Sequence, residues 1–111
     1  MVTFNYTEEF VRQAKRLTKR YRSLPDDIVL LQNDLKENPN LGVSLGGGKR
    51  KIRLASKSKG GGKSGGLRVI TLNAVVEVQD TCVNLLTIYD KSEIANVSDK
   101  YVDEIIKGLK G

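Results

Sequence analysis

The 111-residue chain has no histidine, no tryptophan, one cysteine and two prolines, and between Glu37 and Glu77 it has no acidic residue at all. Each absence removes a class of function. Without histidine there is no imidazole to serve as the usual general base of protein-only ribonucleases, and no Ser–His or Cys–His hydrolase arrangement. One cysteine and no histidine leave a zinc site without its ordinary ligands, so neither metal nor other cofactor is expected. Cys82 has no partner for an internal disulfide and sits in an apolar run, where it reads as a buried, inert thiol. No apolar stretch is long enough to span a bilayer. The opening MVTFNYTEEF lacks the basic-then-apolar shape of a signal peptide, which makes a cytoplasmic protein with no membrane partner the expectation. Any proton transfer must fall to Lys, Tyr, Asp, Glu or the substrate itself.

The acid-free stretch is rich in the opposite sign. It carries Lys49, Arg50, Lys51, Arg53, Lys57, Lys59, Lys63 and Arg68, eight cations in a protein whose net charge is +6. The remaining eleven basic and thirteen acidic residues leave −2. The basicity is therefore local, and a local excess of this kind attracts polyanions, of which phosphate chains are the commonest in a cell.

The length fits one domain, residues 1–111, with a single modest core. A short strand is expected at Val2 to Tyr6. Thr7 can cap a helix whose first turn holds Glu8 and Glu9, at the positive end of the helix dipole. Phe10, Ala14, Leu17 and Tyr21 form its apolar stripe, and Arg12, Lys15, Arg16, Lys19 and Arg20 a basic face that reads as solvated. Pro25 suits the first turn of a second helix, with Ile28, Leu31 and Leu35 inward and Asn38-Pro39 as its end. The pattern then turns to strands. Lys51 to Ala55 alternates, while Leu67 to Leu72 and Val83 to Tyr89 read as central, buried strands. Ser98 can cap a last helix bearing Val102, Ile105, Ile106 and Leu109. The order strand, two helices, three strands, helix predicts an α+β domain: a small, mainly antiparallel sheet with an N-terminal helical hairpin and a C-terminal helix, the helices packed on one side.

Between the first two strands of the basic region lies SKSKGGGKSGG, read as a flexible hairpin loop. Its GGGKS resembles the end of a nucleotide-binding loop, but the glycine that such a loop needs five positions before Gly62 is Lys57, and a strand rather than a helix follows. Nucleotide binding is set aside. The cations on strands carry more. Lys51 and Arg53, two apart, leave one face of one strand. Arg68 opens the next strand, so pairing of the two as a hairpin would bring three cations within reach of one phosphate. Lys91 follows the last strand. The competing reading is a solvated sheet face whose cations only maintain solubility.

These segments, taken together, resemble a known family. KIRLASKSKGGGKSGGLRVI, then LLTIYDKSEIANVS, with NPNLG closing the helical hairpin, are similar to the RelE/ParE superfamily of toxins from bacterial type II toxin–antitoxin modules, and most of all to its HigB-like branch. The resemblance covers nearly the whole chain. It implies a RelE-like microbial ribonuclease fold and a ribosome-dependent mRNA endonuclease. Such an enzyme cuts mRNA in the ribosomal A site, halts translation, and is neutralised by a cognate antitoxin, here of helix-turn-helix type. By position the resemblance makes Arg68 the principal phosphate-contacting residue, Lys51 and Arg53 its basic pair, and Lys91 a further catalytic cation. Lys49, Arg50, Lys57, Lys59 and Lys63 are then RNA-binding. RelE itself has a catalytic tyrosine near the C-terminal end. Here Tyr89 precedes Lys91 and Tyr101 follows it, and the resemblance assigns the role to neither.

The implied reaction matches the residues available. Attack of an RNA 2′-hydroxyl on the neighbouring phosphate needs a base, a stabiliser for the pentacoordinate phosphorus, and a proton for the leaving oxygen, but no metal. Arg53 and Arg68 suit charge stabilisation, and Lys51 or Lys91 suits proton transfer, because lysine crowded by like charge loses its proton more readily. Two other functions compete. A ParE-like inhibitor of DNA gyrase shares the fold, but such toxins generally lack the cation cluster. A non-catalytic RNA- or ribosome-binding protein would share the charge, but no pair of aromatics forms a base-stacking platform.

Overall fold

A computed structural model describes residues 1–58, 66–77 and 79–109. The order is β1 (Val2–Tyr6), α1 (Glu8–Arg20), α2 (Leu24–Glu37), β2 (Val43–Gly46), β3 (Lys49–Leu54), β4 (Leu67–Glu77), β5 (Asp80–Asp90) and α3 (Asp99–Lys107). The five strands form one sheet in the order β1-β5-β4-β3-β2. β1 runs parallel to β5, and every other pairing is antiparallel.

The helix starts follow from their caps. Thr7 Oγ1 accepts from the Phe10 amide at 3.0 Å, and Ser98 Oγ from the Tyr101 amide at 3.1 Å. Each satisfies a donor that the first helical turn leaves unpaired. Pro25 lies in the first turn of α2, where its missing N–H costs nothing. The first core joins the helical hairpin to one face of the sheet. Phe10, Leu17, Leu24, Leu31 and Leu35 meet Ile52, Leu54, Leu67, Val69, Val83, Leu85 and Ile88.

Three expectations need correction. A fifth strand, β2, lies at the sheet edge; its residues are all exposed, so it shows no alternation to read. The helices do not share one side. α3 packs on the face opposite the hairpin, where Val102 joins Ile70, Leu86 and Tyr89 in a second core. Helical periodicity defines an apolar stripe but not the sheet face that receives it. Cys82, expected to be buried, is half-buried in β5, because its strand position points away from the first core residues Val83 and Leu85.

β5 changes phase once. Ile70 faces Thr87 and Thr71 faces Leu85, so Leu86 is an extra residue with no partner on β4. Such a bulge places neighbouring side chains on one face and reverses the alternation beyond it. Leu86 and Thr87 accordingly both lie on the α3 face, Leu86 in the second core and Thr87 against Tyr101, and the first core resumes after Leu85 at Ile88. Thr7 Oγ1 donates to the Leu86 carbonyl at 2.7 Å, so the residue that caps α1 also satisfies the bulge.

Candidate active site

The sheet face on which α3 packs is built by strand parity. Ile52 and Leu54 enter the first core, so Lys51 and Arg53 project from the other face. On β4, Leu67 and Val69 are in the first core while Arg68 and Ile70 face the α3 side. The register then aligns three functional groups. Arg53 is directly opposite Arg68, and Arg68 is directly opposite Tyr89. With strands about 4.8 Å apart, the row spans about 10 Å from β3 to β5. Lys51, two positions back on β3, starts the next row, with Ile70 and Thr87.

The two arginines differ. Arg53 is exposed, whereas Arg68 is only 5 % exposed and donates from Nη1 to the Leu67 carbonyl at 3.2 Å. Like charges directly opposite each other in a sheet repel. A bound phosphate would turn that repulsion into attraction on both sides. Burial raises the pKa of the Tyr89 phenol, and the nearby positive charge of Arg68 works in the opposite direction. The net shift is upward, so at neutral pH Tyr89 is a protonated hydroxyl beside a cation.

The connection between β5 and α3 closes one side of the site. Asn96 Oδ1 accepts from Lys51 Nζ at 2.5 Å, and Tyr89 Oη lies 3.4 Å from the same oxygen. Lys49 Nζ lies 3.7 Å from Asp103 Oδ1 of α3. α3 is itself tied to α1. Tyr101 Oη donates to Glu9 Oε2 and meets Thr87 Oγ1 at 2.8 Å. Burial and the neighbouring Glu9 carboxylate push the Tyr101 pKa up to about 12. Burial acts to raise Glu9, but its bonds from Tyr101, Arg12 and Gln13 outweigh that and hold it below its ordinary value.

The other expected site residues separate. Arg50 alternates onto the hairpin face, where its guanidinium donates to the Leu41 and Gly42 carbonyls at 3.1 and 2.9 Å and secures the approach to β2. Lys57 is exposed in the turn after β3, and Lys91 is exposed in the turn after β5. No hydrogen bond or ion pair joins Lys91 to another described residue. Lys59 and Lys63 lie outside the described residues. The basic face of α1 is largely engaged with carboxylates: Arg12 with Glu9, Arg16 with Glu93 at 3.0 Å, and Arg20 with Glu93 and Asp90 at 3.5 and 3.9 Å. Asp90, within the IYDKSE segment, is fully buried and accepts from Tyr21 Oη and from the amide and hydroxyl of Ser92. Its place in that motif is structural.

Sequence reasoning left Tyr89 unassigned and did not find Asn96. The register alone places Tyr89 beside Arg68, and no periodicity marks an asparagine in a loop. No protein-family model matches the chain, and no curated protein does.

The cluster presents two arginines to fix and neutralise a phosphate, an amine, and a phenol that remains protonated at neutral pH. Arginine stays charged at any working pH and offers a fork of donors matched to phosphate oxygens. The arrangement can grip a phosphodiester and has separate groups to take and to give a proton.

Proposed function

We propose that the protein is a RelE/ParE-type toxin of the HigB-like branch, an mRNA endonuclease that acts in the ribosomal A site and is held inactive by a cognate antitoxin. The observation that carries the reading is the row Arg53, Arg68, Tyr89 across three adjacent strands, with Lys51 beside it on the same face. In the proposed reaction the 2′-oxygen attacks phosphorus and the bond to the 5′-oxygen breaks, leaving a 2′,3′-cyclic phosphate and a 5′-hydroxyl. Lys51 takes the 2′ proton, and Tyr89 gives a proton to the departing 5′-oxygen. Solvent restores both, so the overall proton count is unchanged. Arg53 and Arg68 hold the non-bridging oxygens and stabilise the additional negative charge of the transition state. A small cluster of this kind gains most from a partner that aligns the 2′-oxygen for in-line attack, which is the part proposed for the ribosome. A strongly cationic surface also suits neutralisation by an antitoxin of opposite charge.

The test is induction of the wild type and of Arg68→Ala in a bacterial host, with 5′ ends of mRNA mapped across the transcriptome. New ends within codons are expected for the wild type, with cutting reduced about 10²- to 10³-fold in Arg68→Ala, the usual effect of removing one transition-state donor. Equal cutting by both proteins would overturn the assignment of Arg68. DNA damage without new ends would identify gyrase as the target. Ribosome binding without cuts would make the protein a non-catalytic binder.

A further inference from the structure

Residues 91–98, which join β5 to α3, are exposed over most of their length, yet the Asn96 side chain is fixed across the site. Its Oδ1 meets donors from β3 and β5, two strands separated by β4 and therefore by Arg68. An asparagine in a loop usually bonds its own nearby backbone. This one reaches instead to the amine and the phenol that bracket the buried arginine. Being exposed, Asn96 fills no core space, and a hydrogen bond at the surface adds little stability. Ordering a long lysine side chain for so small a return has a conformational cost. The arrangement is better understood as geometry held for chemistry.

We infer that Asn96 is a positioning residue, which holds the proton-accepting amine of Lys51 and the proton-donating phenol of Tyr89 against one neutral oxygen. The inference rests on the endonuclease reading. The neutrality of the amide is central to it. An amide oxygen accepts from an ammonium or from a neutral amine alike, and so fixes Lys51 without forcing it to stay protonated. A carboxylate at the same place would favour the ammonium and silence the base.

Single-turnover cleavage of mRNA in the A site of purified ribosomes, measured against pH, tests this with Asn96→Ala and Asn96→Asp. In Asn96→Ala the rate is expected to fall about 10- to 100-fold, with ribosome affinity and melting temperature unchanged, as for loss of one positioning contact. Asn96→Asp keeps an acceptor oxygen but adds a charge. Its rate should rise with pH later than that of the wild type, by about one pH unit or more, and recover at high pH. Wild-type rates and profiles in both variants would overturn the inference while leaving the endonuclease reading intact. A slower Asn96→Ala with an unshifted Asn96→Asp profile would overturn it too, by reducing Asn96 to loop structure. A wild type that cuts nothing at any pH would overturn the endonuclease reading, and this inference with it.

Discussion

The two faces of the sheet are built from the same strands and put to opposite uses. On the hairpin face Ile52, Leu54, Leu67, Val69, Val83, Leu85 and Ile88 of β3, β4 and β5 pack with α1 and α2 into an apolar core. On the α3 face the same strands carry Lys51, Arg53, Arg68 and Tyr89, and the one helix that packs there is shorter and joins a smaller apolar cluster. The difference teaches that a domain this small can place its stability on one side and leave the other open to charge. A buried apolar side chain is stabilising whatever stands behind it, whereas a cation row gains its energy only when an anion arrives.

That division can be broken from either side. The largest effect is expected from Leu85→Ala, which empties a fully buried position in the first core. It should cost about 2–5 kcal/mol in chemical denaturation, while the folded fraction cleaves at the wild-type rate. Arg53→Ala is the opposite case. Its side chain is exposed, so denaturation should be unchanged, while cleavage falls about 10²-fold, equivalent to about 2.7 kcal/mol of transition-state stabilisation. If the two variants exchanged their effects, the assignment of faces would be wrong.

The smallest effect tests the seam between the faces. Tyr101→Phe removes the hydroxyl shared by Glu9 and Thr87 and should cost about 1 kcal/mol. The seam also has a pH signature. Glu9 is held below its ordinary 4.5, so its contribution is complete above that pH and is lost as pH falls through the lower folded value. Tyr101 is raised from 10.0 to about 12, so its contribution is complete below pH 10 and fades as pH rises through about 12. In acid denaturation, Tyr101→Phe should therefore weaken the loss of stability that the wild type shows below pH 4.5. Identical acid profiles would remove Glu9 from the seam.

Much of this was legible before any coordinates. Alternation of Lys51 and Arg53 with Ile52 and Leu54 assigns the cations to one face, and Thr7 and Ser98 mark their helices through cap chemistry that is local in sequence. What was not legible depends on long-range pairing. Arg68 opposite Tyr89 requires the β4–β5 register, and α3 on the second face requires knowing which face the hairpin has filled. β2 escaped because Val43–Gly46 is short, exposed and glycine-ended, with no buried side to give a period. Arg50 was grouped with its basic neighbours because charge is visible in sequence, whereas its two carbonyl partners, at Leu41 and Gly42, become apparent only once the chain has turned back on itself. Asn96 belongs to a loop, where geometry has no sequence period.

The extra residue at Leu86 has an evolutionary consequence. It acts as a half-step in a two-beat pattern: Val83 and Leu85 keep time with the core on one side of it, and Thr87 and Tyr89 with the cation row on the other. The strand can therefore change by substitution on either side independently, and it holds one residue in reserve. Loss of Leu86 would restore plain alternation, with Thr87 following Leu85, Ile88 still in the core and Tyr89 still opposite Arg68. Relatives of this chain should thus vary freely in what they place along β5, and can lack the extra residue without exchanging the two faces.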